Sequence, residues 1–296
     1  DLNLSSGQIF EINSSREKPY VNSASVKNTG WEFLVNYRKQ LTKDFSIDAT
    51  LNLSTLKNEV LSLGDNVQPI TSGAMSSSFS DSPSITKPGE AIGSFYGYKI
   101  NGFDADGNFI FADTDNNGSV DANDKVILGN PIPDFSYGLN LTMSYKDFDL
   151  TMFFQGVQGN EIFNQKKYTY YFDYSNNCVT DVLNAWTKNN QNTNIPIMKT
   201  QNTDGGNSLP SEFYIEDGSY FRCKNLQLGY NFPKSILNKI SFNKLRVYAG
   251  VQNLFTITNY SGYDPEVSSN ALFSRGIDSA SYPNARTFTF GFNASF

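Results

Sequence analysis

The final thirteen residues, from Asn284 to Phe296, read N-A-R-T-F-T-F-G-F-N-A-S-F and alternate strictly. Phe288, Phe290, Phe292, Ala294 and Phe296 fall on one face of an extended chain, while Thr287, Thr289, Gly291, Asn293 and Ser295 fall on the other. A period of two specifies a strand, and the second face is small and polar. The pattern recurs along the chain. Trp31, Phe33, Val35 and Tyr37 alternate with Glu32, Leu34, Asn36 and Arg38. After Q-L-T-K-D, a hairpin partner sets Phe45, Ile47, Ala49, Leu51 and Leu53 against Ser46, Asp48, Thr50, Asn52 and Ser54. The longest run opposes Phe135, Tyr137, Leu139, Leu141, Met143 and Tyr145 to Ser136, Gly138, Asn140, Thr142 and Ser144, then turns at Lys146-Asp147 into F-D-L-T-M-F-F-Q-G. Two more strands, S-Y-F-R-C-K-N-L-Q-L-G-Y-N-F and L-R-V-Y-A-G-V-Q-N-L-F, precede the last.

The connections alternate in length. Short ones fall at 40–44, 146–147 and 233–243, and long ones at about 59–133, 158–217 and 259–283. The long segments are rich in Ser, Gly, Pro and Asp and read as irregular loops, the first with strand-like pieces around G-S-F-Y-G-Y-K-I-N-G-F and an acidic segment after about residue 94, the second with a short helix at V-T-D-V-L-N-A-W. Two all-β architectures accommodate such strands: a soluble sandwich or propeller, and an antiparallel transmembrane β-barrel with lipid outside and water inside. The length asymmetry favours the barrel, because outer-membrane barrels pair short periplasmic turns with long extracellular loops. Seven strands are an odd number, whereas bacterial single-chain barrels close with an even one. The expectation is therefore a chain that continues on its N-terminal side.

Composition removes several alternatives. Aromatic residues make up 15% of the 296 residues, with 24 Phe and 17 Tyr, which favours strands over helices. No apolar run approaches the roughly 18 residues of a spanning helix. The net charge is -6 and no basic stripe exists, which argues against nucleic acid as a partner. With no His in the chain, His-based triads and most zinc sites are excluded, and no other nucleophile and base stand together, so no enzyme is expected. The N-terminal D-L-N-L-S-S-G is no signal peptide.

Several stretches, in order, resemble the SusC/RagA family of TonB-dependent outer-membrane transporters. They are N-T-G-W-E-F (28–33), G-E-A-I-G-S-F-Y-G-Y-K-I-N-G-F (89–103), the run from D-T-D-N-N-G to I-P-D-F-S-Y-G (113–138), F-F-Q-G (153–156), S-Y-F-R-C-K-N-L-Q-L-G-Y-N-F-P (219–233), L-R-V-Y-A-G-V-Q-N-L-F (245–255) and Y-P-N-A-R-T-F-T-F-G-F-N-A-S-F (282–296). The resemblance implies that residues 1–296 are the C-terminal part of a large plugged barrel of about 22 strands, without the plug domain and early strands. It further implies a bacterial outer-membrane importer of oligosaccharides or peptides, energised by TonB through the missing N-terminal part and assisted by a SusD-like surface lipoprotein. The competing class is a soluble, secreted all-β adhesin or glycan-binding protein with a calcium-stabilised loop.

Candidate sites are few. Asp113, Asp115 and Asn117 hold positions one, three and five of the calcium-loop pattern D-x-[DN]-x-[DN]-G, and Gly118 supplies its turn. Ser119, Asp121 and Asp124 take positions seven, nine and twelve, with Asp in place of the usual Glu at twelve. Clustered hard oxygens suit Ca²⁺; an Asx-rich turn held by its own backbone is the alternative. Asp104 and Asp106 read as a plain hairpin turn. Tyr168, Tyr170, Tyr171, Phe172 and Tyr174 offer rings to a ligand or partner, or else form an interfacial girdle or pack their loop. Cys178 and Cys223 are read as two free thiols rather than a bridge, with Cys223 on the polar face in register with Asn225 and Gln227. Phe296, by the resemblance, is the terminal aromatic signal read by the barrel-assembly machinery.

Overall fold

The computed structural model describes residues 2–4, 21–64, 67–73, 81–173, 177–199, 206–239, 242–267 and 272–296. Each alternating run becomes a strand of one sheet: β1 (Glu32–Gln40), β2 (Phe45–Thr55), β3 (Phe135–Tyr145), β4 (Phe148–Gln158), β5 (Tyr220–Asn231), β6 (Lys244–Thr258) and β7 (Thr287–Ser295). They lie side by side in chain order as a seven-stranded antiparallel meander. Its short connections share one end of the sheet and its long connections the other, as the sequence predicts.

The register carries the alternation across the whole sheet. Val35 pairs with Leu51, Leu51 with Leu139, and Leu139 with Phe154. One row nearer the short end, Leu141 faces Met152, Met152 faces Leu226, Leu226 faces Val251, and Val251 faces Phe288. Every such row is apolar on one face, and each cross-strand pair adds roughly 0.2–1 kcal/mol. A one-residue slip anywhere would turn these side chains to the wrong side, so the apolar face itself fixes the register.

Aromatic residues bracket the aliphatic rows. At the short end Phe45 lies edge-on to Tyr145 with centroids 6.4 Å apart, Phe148 meets Tyr230 at 4.8 Å and Phe242 meets Phe296 at 4.6 Å. At the long end Tyr137 stacks on Phe221 at 6.3 Å, and Phe221 on Phe154 at 5.5 Å. The eight residue steps of β3 from Tyr137 to Tyr145 span roughly 27 Å along the strand.

No protein layer among the described residues covers this face. Among the described residues, both hydrophobic core clusters are built outside the seven strands. Phe288, Phe290 and Phe292 remain 62%, 80% and 71% exposed.

The core sits instead in the long connections, which fold onto one another. Phe95 and Phe109 from the first, Phe163, Tyr171, Phe172 and Tyr214 from the second, and Ile277 from the third pack together. Phe163 stacks on Tyr214 at 5.0 Å and contacts Phe95 at 6.0 Å. Short strands frame this mass: a four-stranded sheet of Ile70–Ser72, Ser84–Thr86, Ser94–Gly97 and Val126–Gly129, the hairpin of Ile100–Phe103 with Phe109–Phe111, and a long-range antiparallel pair of Glu161–Phe163 with Ile215–Asp217. Strands Ser94–Gly97 and Ile100–Phe103 fall where strand-like pieces are expected, whereas the expectation of irregular loop for the remainder is corrected. The buried rings of these connections come from distant segments in runs too short for a period, so no local periodicity announces them. The helix expected at V-T-D-V-L-N-A-W is a 3₁₀ turn over Thr180–Asn184.

A strand not anticipated, Val21–Thr29, pairs with Lys57–Ser62 and joins β1 through Gly30. A Cβ on Gly30 would stand 1.9 Å from the Thr55 carbonyl oxygen, and the neighbouring Trp31 N–H donates to Thr55 Oγ1 at 2.9 Å. Only glycine lets the two backbones approach this closely. Gly30→Ala should therefore splay the outer end of the β1–β2 hairpin at a cost of about 1–3 kcal/mol, seen as a lowered unfolding midpoint of the full-length protein; an unchanged midpoint would show that the approach is not needed.

Candidate functional site

The polar face of the sheet carries hydrogen-bonding residues from end to end, including Asn140, Thr142, Gln227 and Gln252. Toward the short end charges pair across it, Arg38 with Asp48 on adjacent strands and Asp149 of β4 with Arg246 of β6 over Gly229 of the intervening β5. Arg38 Nε donates to Asp48 at 2.6 Å; Asp149 accepts from Arg246 Nε at 3.0 Å and from Asn231 at 2.9 Å. Near the long end a concavity of about 690 Å³ opens on this face, with Asn52, Ser136, Phe153, Gln155 and Tyr220 among its walls.

Beside that concavity β5 departs from regular pairing. Phe153 pairs with Asn225 but Phe154 with Cys223, leaving Lys224 as the extra residue of a bulge, and the β6 side shifts at the same place. Asn253, at φ 51, takes up the distortion. The bulge moves Cys223 onto the apolar face opposite Phe154 and Phe255, correcting the simple alternation that aligned it with Asn225. Cys223 is a buried free thiol and Cys178 an exposed one.

The same bulge sets Arg222 and Lys224 toward the third connection. Arg222, only 2% exposed, donates to Thr256 Oγ1 at 2.8 Å, Glu266 at 2.7 Å and Asp264 at 2.5 Å. Lys224 reaches Glu266 at 3.0 Å, and Asn284 at the far end of the connection donates to both carboxylates. Burial pushes the Asp264 carboxyl upward, but Arg222 and the Asn284 and Glu266 N–H groups outweigh it and hold it below the usual range. A buried guanidinium with two carboxylates thus ties Asp264, Glu266 and Asn284 of the third connection to the sheet.

Two successive lysines tie the second connection to the third. Lys166 lies 2.9 Å from Asp278, which also accepts from the Tyr260 hydroxyl at 2.5 Å and from the Ala280 and Ser281 N–H groups. Lys167 lies 2.9 Å from Glu216, whose other oxygen accepts the Ser261 N–H at 2.8 Å. Burial raises the Asp278 carboxyl, yet the Tyr260 hydroxyl, the Ser281 N–H and Lys166 bring it net below the ordinary value. A depressed carboxylate binds fewer protons folded than unfolded, so its contribution is full above the unfolded pKa and fades as pH falls through the folded one. Protease resistance of the third connection should accordingly be flat from pH 8 down to about 5 and fall only below about 4; a loss already at pH 6 would contradict this.

The residues singled out from sequence divide. Carboxylate oxygens of Asp113, Asp115 and Asp124 converge within 4.8 Å of one another. Asp121 stands outside that group because it caps the 3₁₀ turn Ala122–Asp124 in a reciprocal capping box with Asp124. Asn117 turns its oxygen to the Ser119 N–H at 2.9 Å. The buried Asp124 carboxylate accepts N–H groups of Asp121 at 2.7 Å and Thr114 at 2.6 Å; the Asp121 bond contributes most to holding it below the usual range. Asp104 accepts the N–H groups of Asp106 and Asn108 at 2.9 and 2.8 Å, the hairpin turn expected.

Tyr168, Tyr171 and Phe172 lie in the core of the connections, on a single π turn, with Phe172 5.8 Å and Tyr171 5.5 Å from the Phe213 ring. Burial, with Asp181 nearby, pushes the Tyr171 hydroxyl up to about 12. Tyr170 is partly buried, its hydroxyl 3.3 Å from that of Tyr263. Tyr174 lies outside the described residues. Three of these rings therefore pack the loops together. Phe296 is exposed apart from its contact with Phe242. The sequence reading missed Arg222, Lys166, Asp264 and Asp278; two cations, Arg222 and Lys224, two residues apart within one strand were the available signal.

No protein-family model matches the chain. It is 37% identical over 299 residues to TonB-dependent receptor P3 of Formosa agariphila, covering 93% of this chain and 29% of that receptor. It is 32% identical over 284 residues to TonB-dependent receptor SusC of Bacteroides thetaiotaomicron, covering 93% of this chain and 27% of SusC. Among solved structures, the RagAB peptide importer in its closed-closed state superposes with a TM-score of 0.75 at 25% identity, covering 94% of this chain and 30% of that one. The chain spans under a third of the length of these relatives.

Proposed function

Because the chain belongs, over the segment it covers, to the SusC/RagA family of TonB-dependent receptors, we propose that its sheet is part of the wall of a transmembrane barrel that imports a nutrient across the bacterial outer membrane. The carrying observation is the uncovered apolar face with its aromatic belts. Water is a poor solvent for such a surface, and a soluble sandwich would pack a second layer on it. Lipid suits it: outer-membrane barrels present an apolar band roughly 25 Å tall between aromatic girdles. The opposite face, with paired charges and amides, then lines a wet lumen, and the cross-linked connections stand outside the cell.

In this reading residues 1–296 are a C-terminal portion of a plugged barrel, and the plug domain and TonB contact belong to other parts of the protein. A SusD-like lipoprotein covers the pore, and the cargo is an oligosaccharide or a peptide. Conformational work on a plug, rather than bond chemistry, performs the transport. The test is extraction and uptake. Full-length protein should leave membranes only with detergent and migrate differently on gels when unheated, and deleting its gene should abolish uptake of its cargo. Release into aqueous buffer without detergent would remove the barrel reading.

We infer also that Asp113, Asp115 and Asp124 hold Ca²⁺, whose preference for hard oxygen ligands fits converging carboxylates. Calcium would offset their mutual repulsion and fasten the loop between Phe109–Phe111 and Val126–Gly129. Adding Ca²⁺ to chelator-treated protein should raise the unfolding temperature, and Asp115→Ala should abolish that rise; no shift with wild-type protein would remove the metal.

A further inference from the structure

The two ends of the sheet carry opposite charge. The long connections at 59–133, 158–217 and 259–283 hold 20 Asp and Glu against 8 Lys and Arg. Around the short connections the balance reverses, with Lys39, Lys43, Lys146, Lys234, Lys239 and Lys244 against only Asp44 and Asp147. All six lysines are exposed, and among the described residues none of them forms an ion pair. Four of them follow the aromatic belt at this end. Lys39 continues the apolar face of β1 after Val35 and Tyr37 and pairs with Ile47. Lys146, at φ 53 in the turn between β3 and β4, sets its ammonium 5.5 Å from the centroid of the Tyr145 ring, itself 53% exposed. Lys234 opens a helical turn, Lys234–Leu237, and Lys239 follows it; the turn buries Leu237 and leaves Ile236 exposed. Lys244, paired with Ser295 on the polar face, lies outside this set.

We propose that Lys39, Lys146, Lys234 and Lys239 bind the phosphate headgroups of anionic phospholipids in the periplasmic leaflet, an inference that rests on the barrel reading above. Charge complementarity names an acidic partner, and position names the lipid. A lysine stem lies along apolar surface while its ammonium reaches for water or an anion. Cations at the edge of an aromatic belt therefore stand at the level of the headgroups. An acidic polymer or protein beneath the barrel would meet the tips of the turns, whereas Lys39 projects from the strand face that meets hydrocarbon. Each lysine near an anionic membrane surface adds attraction that salt screens within a few ångströms at 1 M.

The experiment is photo-crosslinking of the full-length protein in phosphatidylcholine bilayers doped with phosphatidylglycerol or phosphatidylcholine that carries a diazirine beside the headgroup. Adducts are located by mass spectrometry of the peptides. Phosphatidylglycerol should label the segments 39–48, 145–150 and 233–244 about threefold or more over phosphatidylcholine. Combining Lys39→Gln, Lys146→Gln, Lys234→Gln and Lys239→Gln should erase that excess, as should 1 M salt, whereas arginine at the same four positions should keep it. Equal yields from the two lipids, or an excess that survives in the glutamine variant, would overturn the headgroup site. Retention on isolated cell-wall sacculi that the glutamine variant loses, with equal lipid yields, would overturn it in favour of the wall. Adducts of neither lipid anywhere on the apolar face would instead overturn the barrel reading.

Discussion

Replacing Leu141 with arginine is expected to prevent most of the protein from assembling into the outer membrane, whereas Asn140→Arg, one residue away on the same strand, leaves assembly near normal. Leu141 sits in the apolar row between Ala49 and Met152, and Asn140 between Thr50 and Phe153 on the opposite face. Arginine on the lipid face near the bilayer midplane costs roughly 2–4 kcal/mol, and little in a wet lumen. Since about 1.4 kcal/mol is a factor of ten in an equilibrium, the difference is large enough to read as the heat-modifiable band of membrane-inserted protein. Equal assembly of the two variants would mean that the apolar face does not meet lipid.

The second large effect concerns Arg222. Arg222→Met removes the cation that compensates Asp264, itself only 7% exposed, and the exposed end of Glu266. Breaking a buried pair by deleting one partner costs about 3–5 kcal/mol because the remaining charge stays buried and unpaired. The penalty falls on docking of the third connection rather than on the sheet, since the strand ladder needs no side chain at that position. Hydrogen exchange across residues 259–286 should accelerate strongly while β3 and β4 keep their protection. Adding Asp264→Asn and Glu266→Gln to Arg222→Met should recover much of the loss, because neutral amides tolerate the missing guanidinium. Unchanged exchange in the single variant would show that the third connection is held by other contacts.

Why the sheet was legible in the sequence and the connections were not follows from the range of the interactions. In β3, eleven consecutive residues report one environment on each side, so alternation alone identifies strand, face and register. The loop core obeys no such local rule. Phe95, Phe163, Tyr214 and Ile277 meet from segments separated by tens of residues, each in an apolar run too short to carry a period. Strand Val21–Thr29, with V-N-S-A-S-V-K-N-T, likewise lacks a repeating apolar face. The bulge at Lys224 broke the period at the one place where the polar face holds a buried arginine, which is why extrapolated alternation put Cys223 on the wrong side. Of the acidic loop, the sequence located Asp113, Asp115 and Asp124 together, but not the use of Asp121 as a helix cap, since capping and metal ligation demand the same residue type.

The central claim is that one face of this sheet meets lipid and the other water. It is tested most directly by spin labels placed singly at residues 139 to 143 of the full-length protein in bilayers, with collision rates measured for oxygen, which concentrates in lipid, and for a water-soluble nickel chelate. The account predicts a period of two: labels replacing Leu139, Leu141 and Met143 collide with oxygen, and those replacing Asn140 and Thr142 with nickel. Uniform access to nickel at all five positions, or the reversed phase, would contradict it.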